Sequence, residues 1–174
     1  MIRGERVALR TVRRTDLDAL YRFVNDAALQ GEHLARPLRS ETAFRKEFDE
    51  SGLFGPERGC FLVTDLDDRL LGNILYFKVN YMDGFEIGYQ SFDPAARGSG
   101  LMTEALRLAV RYLFEHHRIS RLQIVTQPGN EASKRLALKC GFQLEGTLRG
   151  FVLHRGQAVD ALLYSLLRDE ALGG

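Results

Sequence analysis

The sequence has no tryptophan, two cysteines, four prolines and almost no net charge. Two cysteines make one pair at most. Neither Cys60 nor Cys140 has a CxxC partner or a Cys/His neighbour at metal-ligand spacing, which argues against both a disulfide framework and a zinc site. A formal charge of +1 over 174 residues gives no electrostatic case for wrapping nucleic acid or a membrane, so any anionic ligand must be met locally. No stretch approaches the roughly 18 apolar residues that span a bilayer. The opening "MIRGERVALR" alternates charge and apolarity where a secretion signal would need an apolar core. Repeats, low-complexity tracts and linkers are also missing. These absences predict one soluble, cytoplasmic domain over residues 1–174, with no metal, nucleic-acid or membrane partner.

What is present is a globular composition, 45% hydrophobic and 27% charged, with clear periodicities. "RVALRTV" (6–12) alternates with period two and predicts a strand. Thr15-Asp16 then reads as the N-cap of a helix in "LDALYRFVND". After a polar stretch containing Gly31 and Pro37, Ser40-x-x-Ala43 opens a second helix, "ETAFRKEFDE", stopped near Gly52. "CFLVTDL", "LLGNILYFKV" and "GFEIGYQSF" are strand-like runs separated by turn signals at Asp67-Asp68 and Asp83-Gly84, an antiparallel meander. "MTEALRLAVRYLFEHH" is the strongest helix, with Met102, Ala105, Leu106, Ala109, Val110, Leu113 and Phe114 on one face. "RLQIVTQ" (121–127) reads as a buried strand, "EASKRLALKC" as a short helix ended by Gly141, and "FQLEGTL" and "AVDALLYSLL" as two last strands. The fold class is therefore α+β (mixed α/β), with one mainly antiparallel sheet of seven strands and four helices.

"ARGSGLMTEAL" (95–105) sets two glycines before the strongest helix, with a cation just ahead. A strand, then Asp93-Pro94, then Arg97-Gly98-Ser99-Gly100, then a helix presents unpaired N–H groups at a positive helix end, which suits phosphate oxygens. A plain tight turn carrying a solvated arginine accounts for the same residues. The stretch is not a Walker loop, since no GK[ST] follows, and not GxGxxG, since Thr103 stands where the third glycine belongs.

Arg97-Gly98-Ser99-Gly100-Leu101-Met102 nevertheless resembles the acyl-CoA signature of the GNAT family of N-acetyltransferases. The form "RGSGLMTEAL" is similar to the branch of ribosomal-protein N-terminal acetyltransferases typified by RimJ and RimL. "ERVALRTVRRTDLDAL", "FEIGYQSFDPAARG", "NEASKRLALKCGFQLEGTLR" and "VDALLYSLLRDE" resemble further blocks of that branch, in the same order, across nearly the whole chain.

The resemblance implies a splayed pair of central strands and acetyl transfer from acetyl-CoA to an amine, through a ternary complex, without a metal or a covalent enzyme intermediate. It implies that Gln90 and Phe92 meet the pantetheine through their backbone, and that Arg97, Gly98, Ser99, Gly100, Leu101, Met102 and Thr103 hold the pyrophosphate. Ser99 departs from the pattern, because relatives often carry a cation there; Lys134 or Arg135 is the candidate substitute. An ammonium must lose a proton before it attacks a thioester, and Glu86, eleven residues before Arg97, is the candidate base, with a surface glutamate as the plainer alternative. Asn130 is a natural N-cap and, by the resemblance, a cofactor contact; Ser133 is the implied acid for the departing thiolate. His33, Arg36, Arg149, His154 and Arg155 fall on the implied walls of the acceptor pocket. His116 and His117 read as a helix end and Cys140 as packing. The implied acceptor is a protein N-terminus, as in the ribosomal-protein enzymes. A small-molecule amine such as a polyamine or aminoglycoside is the alternative, and a non-catalytic acyl-CoA-binding module is the reading from another class. Monomer or homodimer stays open.

Overall fold

A computed structural model describes residues 1–26, 29, 33, 38–94, 97–154 and 156–173. Its elements run β1 (Ile2–Arg3), β2 (Ala8–Arg10), a 3-10 turn (Arg14–Asp16), α1 (Leu17–Asn25), α2 (Glu41–Ser51), β3 (Arg58–Thr64), β4 (Leu70–Lys78), β5 (Gly84–Ser91), α3 (Leu101–His116), β6 (Arg121–Thr126), α4 (Glu131–Lys139), β7 (Gln143–His154), β8 (Gln157–Leu167) and α5 (Arg168–Leu172). The strands form one sheet ordered β1-β2-β3-β4-β5-β6-β8-β7. Every pairing is antiparallel except β5 with β6.

The class is as expected, but the sheet has eight strands rather than seven. The extra one is β1, folded back on β2 through Ile2↔Leu9 and Arg3↔Ala8 by a turn in which the Gly4 N–H donates to the Val7 carbonyl at 2.8 Å. Two residues are too few to show a period. Five α-helices are described instead of four, because the chain leaves β8 at Leu167 and turns once more as α5. β7 is longer than the expected "FQLEGTL" and includes Gly150, and β8 starts at Gln157. β7 runs on to His154, with register shifts at Leu144/Gly146 and Leu148/Val152 where glycines interrupt it.

Caps follow the sequence in α2, where Ser40 Oγ accepts from the Ala43 N–H and Gly52 closes the helix at φ 61°. They do not in α1. The Asp16 carboxylate accepts from Arg10, at 2.7 and 2.9 Å, and reaches back to the Arg13 N–H, at 2.7 Å, to cap the 3-10 turn, and makes no cap bond to α1 itself.

The sheet carries a core on each face. Phe61, Val63, Ile74, Phe85, Ile87, Leu122 and Ile124 pack with Leu106, Ala109, Leu113 and Phe114 of α3. The alternate residues Cys60 and Leu62 pack with Leu17, Leu20, Phe44 and Phe92 beneath α1 and α2. That is why β3 reads as the unbroken apolar run "CFLV": it is covered on both sides.

The feature that positions the site is an interrupted ladder. β5 and β6 pair only at Gly84↔Arg121, Phe85↔Leu122 and Glu86↔Gln123, although β5 continues to Ser91 and β6 to Thr126. Beyond Glu86 the two strands part.

Candidate active site

Main-chain direction along β5 follows from two bonds. The Asp83 carbonyl accepts from the Ser120 N–H on the β6 side, and the Phe92 N–H donates to the Leu71 carbonyl on the β4 side. Alternation between those markers turns the main-chain groups of Ile87, Tyr89 and Ser91 toward the gap and those of Gln90 and Phe92 toward β4. The main-chain groups that face the gap are therefore those of Tyr89 and Ser91, one residue away from Gln90 and Phe92. The Phe92 ring is equally committed, stacked on Phe23 at 4.0 Å in the lower core.

The gap opens into a cavity of about 550 Å³ whose lining includes Gln90, Arg97, Gly98, Gly100, Leu101, Met102, Thr103, Asn130 and Ser133. Nine of the expected residues thus meet in one place, joined by Tyr89, Ser91, Arg135 and Lys139. At its upper end Gly98 and Gly100 take φ 77° and 84°, the left-handed region that glycine adopts without a side-chain clash, and Gly100 starts α3 directly. Of the two cations expected to stand in at Ser99, Lys134 is held by Glu131 at 2.6 Å and by the Pro128 carbonyl at 3.2 Å, whereas Arg135 lines the cavity. Ser99 itself is exposed, and its carbonyl accepts from Arg6 Nη1 at 3.1 Å.

At the other end α4 starts from Asn130, whose Oδ1 accepts the Ser133 N–H at 3.1 Å. The cap role is real, and it leaves the NH2 group and one lone pair of Oδ1 of Asn130 for a ligand. Ser133 is 8% exposed, and its Oγ shares a hydrogen bond of 2.7 Å with the Tyr89 hydroxyl. Burial pushes the Tyr89 phenol up to about 12, so it stays protonated at neutral pH and can pass a proton on to the serine.

Glu86 sits at the fork, in the last pair before the strands part. Its Oε2 accepts from Gln123 Nε2 at 2.8 Å, and the same amide donates to the Tyr81 hydroxyl at 3.0 Å. Burial raises the Glu86 carboxyl above its ordinary value, while the Gln123 bond pulls it partly back. Glu86 and Gln90 share a sheet face with Phe77 and Asn73 opposite them on β4. Asn73 and Phe77 line a second cavity of about 750 Å³, along with Leu20, Val24 and Phe44 of α1 and α2.

Among the other expected residues, His33 and His154 both reach Gln127, at 3.0 and 3.5 Å, and so face each other across the end of β6. Arg149 is exposed; Arg36 and Arg155 lie outside the described residues. Cys140 is buried against the Thr103 carbonyl, and burial raises its thiol to about 11, the behaviour of a packing residue. His116 stacks on Tyr112 at the end of α3. Among the described residues no group of three or more His, Cys, Asp or Glu could hold a metal ion, and no helix is long and apolar enough to cross a membrane.

A parallel strand pair opened like this, with a glycine turn at one end and a hydroxyl pair at the other, defines an acyltransferase. The chain belongs to the GNAT acetyltransferase family: residues 6–143 match the family model described as "Acetyltransferase (GNAT) domain". A probable N-acetyltransferase, YjcK of Bacillus subtilis, is 34% identical over 128 residues, 72% of this chain and 67% of that protein. The [ribosomal protein uS5]-alanine N-acetyltransferase of Escherichia coli is 33% identical over 116 residues, 66% of this chain and 55% of that protein. In fold the chain is similar to spermidine N-acetyltransferase from Vibrio cholerae, solved with CoA and spermine, with TM-score 0.83, 20% identity, and 95% and 98% of the two chains covered.

Sequence reasoning missed Tyr89, Ser91, Gln123, Tyr81 and Arg6. Tyr89 and Ser91 had a signal, since the period of "FEIGYQSF" fixes which residues alternate, but not which of the two sets looks toward the gap.

Proposed function

We propose that this chain transfers an acetyl group from acetyl-CoA directly to the primary amine of a protein N-terminus. The observation that carries the reading is the parted β5–β6 pair, whose cavity gathers the glycine turn, Asn130 and Ser133 on one wall-to-wall path. That path suits an extended carrier: phosphates at the N–H groups of Gly98 to Thr103, an amide-bearing arm along Tyr89 and Ser91, and the thioester near the fork. Glu86 takes a proton from the incoming ammonium, the freed amine attacks the thioester carbonyl to form the C–N bond, and the second amine proton passes to solvent. The C–S bond then breaks, and the Ser133 hydroxyl gives a proton to the leaving thiolate, with Tyr89 behind it to replace that proton. Both side chains return to their starting states by exchange with solvent.

Charge supports a peptide over a polyamine. The cavity beside Asn73 and Phe77 carries Glu47, Glu50 and Glu57, matched by Arg39, Arg58 and Lys78, and Glu47 is paired with both arginines. A polycation gains little from such a lining, since the carboxylates are already neutralised. Asn73, 2% exposed, has no described partner for its Oδ1, and a peptide N–H would satisfy it.

A CoA-release screen tests the reading, with short peptides of differing N-terminal residues set beside spermidine and an aminoglycoside. Turnover of peptides at the lowest KM is the expected result. Turnover of amines alone overturns the acceptor, and acetyl-CoA binding without release of CoA from any amine overturns the enzyme.

A further inference from the structure

The glycine turn is not held by its own residues alone. Arg6, which precedes β2, lies against it: Nη1 donates to the Ser99 carbonyl at 3.1 Å, and an ideal Cβ on Gly100 would come within 3.2 Å of Nη2. The guanidinium is braced from the other side by Glu104 in the first turn of α3. Glu104 Oε2 accepts from Arg6 Nε at 3.3 Å, and its Oε1 accepts the Arg6 main-chain N–H at 2.9 Å. Burial would raise the Glu104 carboxyl, but the main-chain groups of Arg6, Glu5 and Val7 and the Arg6 side chain together hold it below its ordinary value. The carboxylate is therefore ionised at neutral pH and keeps the arginine in place.

A trans peptide is planar, with its C=O and N–H pointing in opposite directions. Once Arg6 has captured the Ser99 carbonyl, the Gly100 N–H of the same peptide must point away from Arg6. Gly100 lines the cavity and Arg6 does not, so an N–H turned away from Arg6 is turned to the side where the phosphates are proposed to lie. With glycine at position 100 a flip of this peptide meets little steric resistance, and the flipped form would aim a carbonyl dipole at an anion.

We infer that Arg6 is a positioning residue for the phosphate turn, locking the Ser99–Gly100 peptide with its N–H aimed at the pyrophosphate. It also cancels the Glu104 charge, which would otherwise repel the same phosphates. The cation absent from position 99 is thereby supplied from the N-terminal strand segment, acting through the backbone rather than by touching the ligand. This rests on the acetyl-CoA reading above.

The test compares two acetyl donors, acetyl-CoA and S-acetylpantetheine, which lacks the diphosphate and the adenosine. For Arg6→Gln, KM for acetyl-CoA should rise about tenfold, the worth of one charge-assisted hydrogen bond discounted for a half-exposed guanidinium, with kcat within twofold. kcat/KM for S-acetylpantetheine should not change, and Arg6→Lys, which keeps the charge and one donor, should recover part of the loss. An equal loss with both donors makes Arg6 a fold residue and overturns the inference; so does unchanged KM for acetyl-CoA. Failure of the acetyl-CoA reading is separable, because the unsubstituted protein would then release no CoA at all.

Discussion

Replacing Glu86 by glutamine removes one negative charge and little else. The side chain keeps its length, and the amide oxygen can still accept from Gln123 Nε2, now 2.8 Å from the carboxylate. If Glu86 is the base that frees the amine, the fall in kcat/KM at pH 7 is bounded by the fraction of amine already neutral, about tenfold for a protein α-amine and about 10³ for an alkylamine. The defect should then shrink with pH, because a neutral amine needs no base. Where it vanishes identifies the acceptor. A protein α-amine has a pKa of about 7.7 to 8.0, so roughly one molecule in ten is already neutral at pH 7; an alkylamine near 10.4 is neutral in well under one molecule in a thousand. The Glu86→Gln defect should fade near pH 8 for a peptide N-terminus and only near pH 10 for an alkylamine. In the unsubstituted enzyme the acid limb of kcat/KM should lie above the ordinary carboxylate range, since burial raises Glu86, and the substitution should erase that limb. Stability gives a control with a definite sign. A carboxyl whose folded pKa exceeds its unfolded value costs stability as pH rises between the two, so at pH 7 the variant should melt no lower than the parent. Steady-state CoA release across pH 6 to about 10, with thermal melts at pH 7, makes the measurement. A defect constant over that range, or an acid limb left at the parent's position by the substitution, refutes the assignment.

Other perturbations have equally direct readouts. Ser133→Ala should lower kcat about tenfold to a hundredfold while calorimetry finds acetyl-CoA affinity within twofold, since the lost hydroxyl acts on the thiolate and leaves the phosphates alone. Arg97→Ala, at the mouth of the glycine turn, should instead weaken acetyl-CoA binding about tenfold, with kcat largely kept and a shallower salt dependence of Kd. Asp16→Ala strips the bidentate partner from Arg10, whose side chain is 5% exposed, but leaves it Asp68 at 2.6 Å, and should cost about 1.5 to 3 kcal/mol in urea unfolding. Asp16 is held below its ordinary value of 3.8: burial opposes this, but the Arg10 and Arg13 bonds outweigh it. Its stabilisation should persist above about pH 4 and be lost as pH falls further, which acid titration followed by circular dichroism would reveal.

Local patterns were legible wherever one face of an element is dry and the other wet. α3 is the clearest case, with Ala105, Leu106, Ala109, Val110, Leu113 and Phe114 buried on one face as its period demanded. β7 is the opposite: an edge strand with Leu144, Phe151 and Leu153 exposed has no burial contrast for a period to express, so the strand expected over 142–148 stopped short of its end at His154. The glycine turn and the Asn130–Ser133 cap were readable because each is set by neighbours within a few residues. What escaped was set by partners distant in sequence. Gln123 meets Glu86 across 37 residues, Ser133 meets Tyr89 across 44 and Ser99 meets Arg6 across 93.

The same distance explains why the main-chain groups of Gln90 and Phe92 face β4 where the gap was expected. Periodicity separates the even residues of β5 from the odd ones, but the side on which each set bonds depends on β4, and the Phe92 N–H is fixed only by the carbonyl of Leu71. The position of Ser99 follows the same logic. A cation at 99 would act through its own side chain; here the fold brings Arg6 from the first strands onto the Ser99 carbonyl instead. A departure from a family motif at one position is therefore a reason to search the spatial neighbours of that position, because the requirement belongs to the phosphate and can be met from any part of the chain that reaches it.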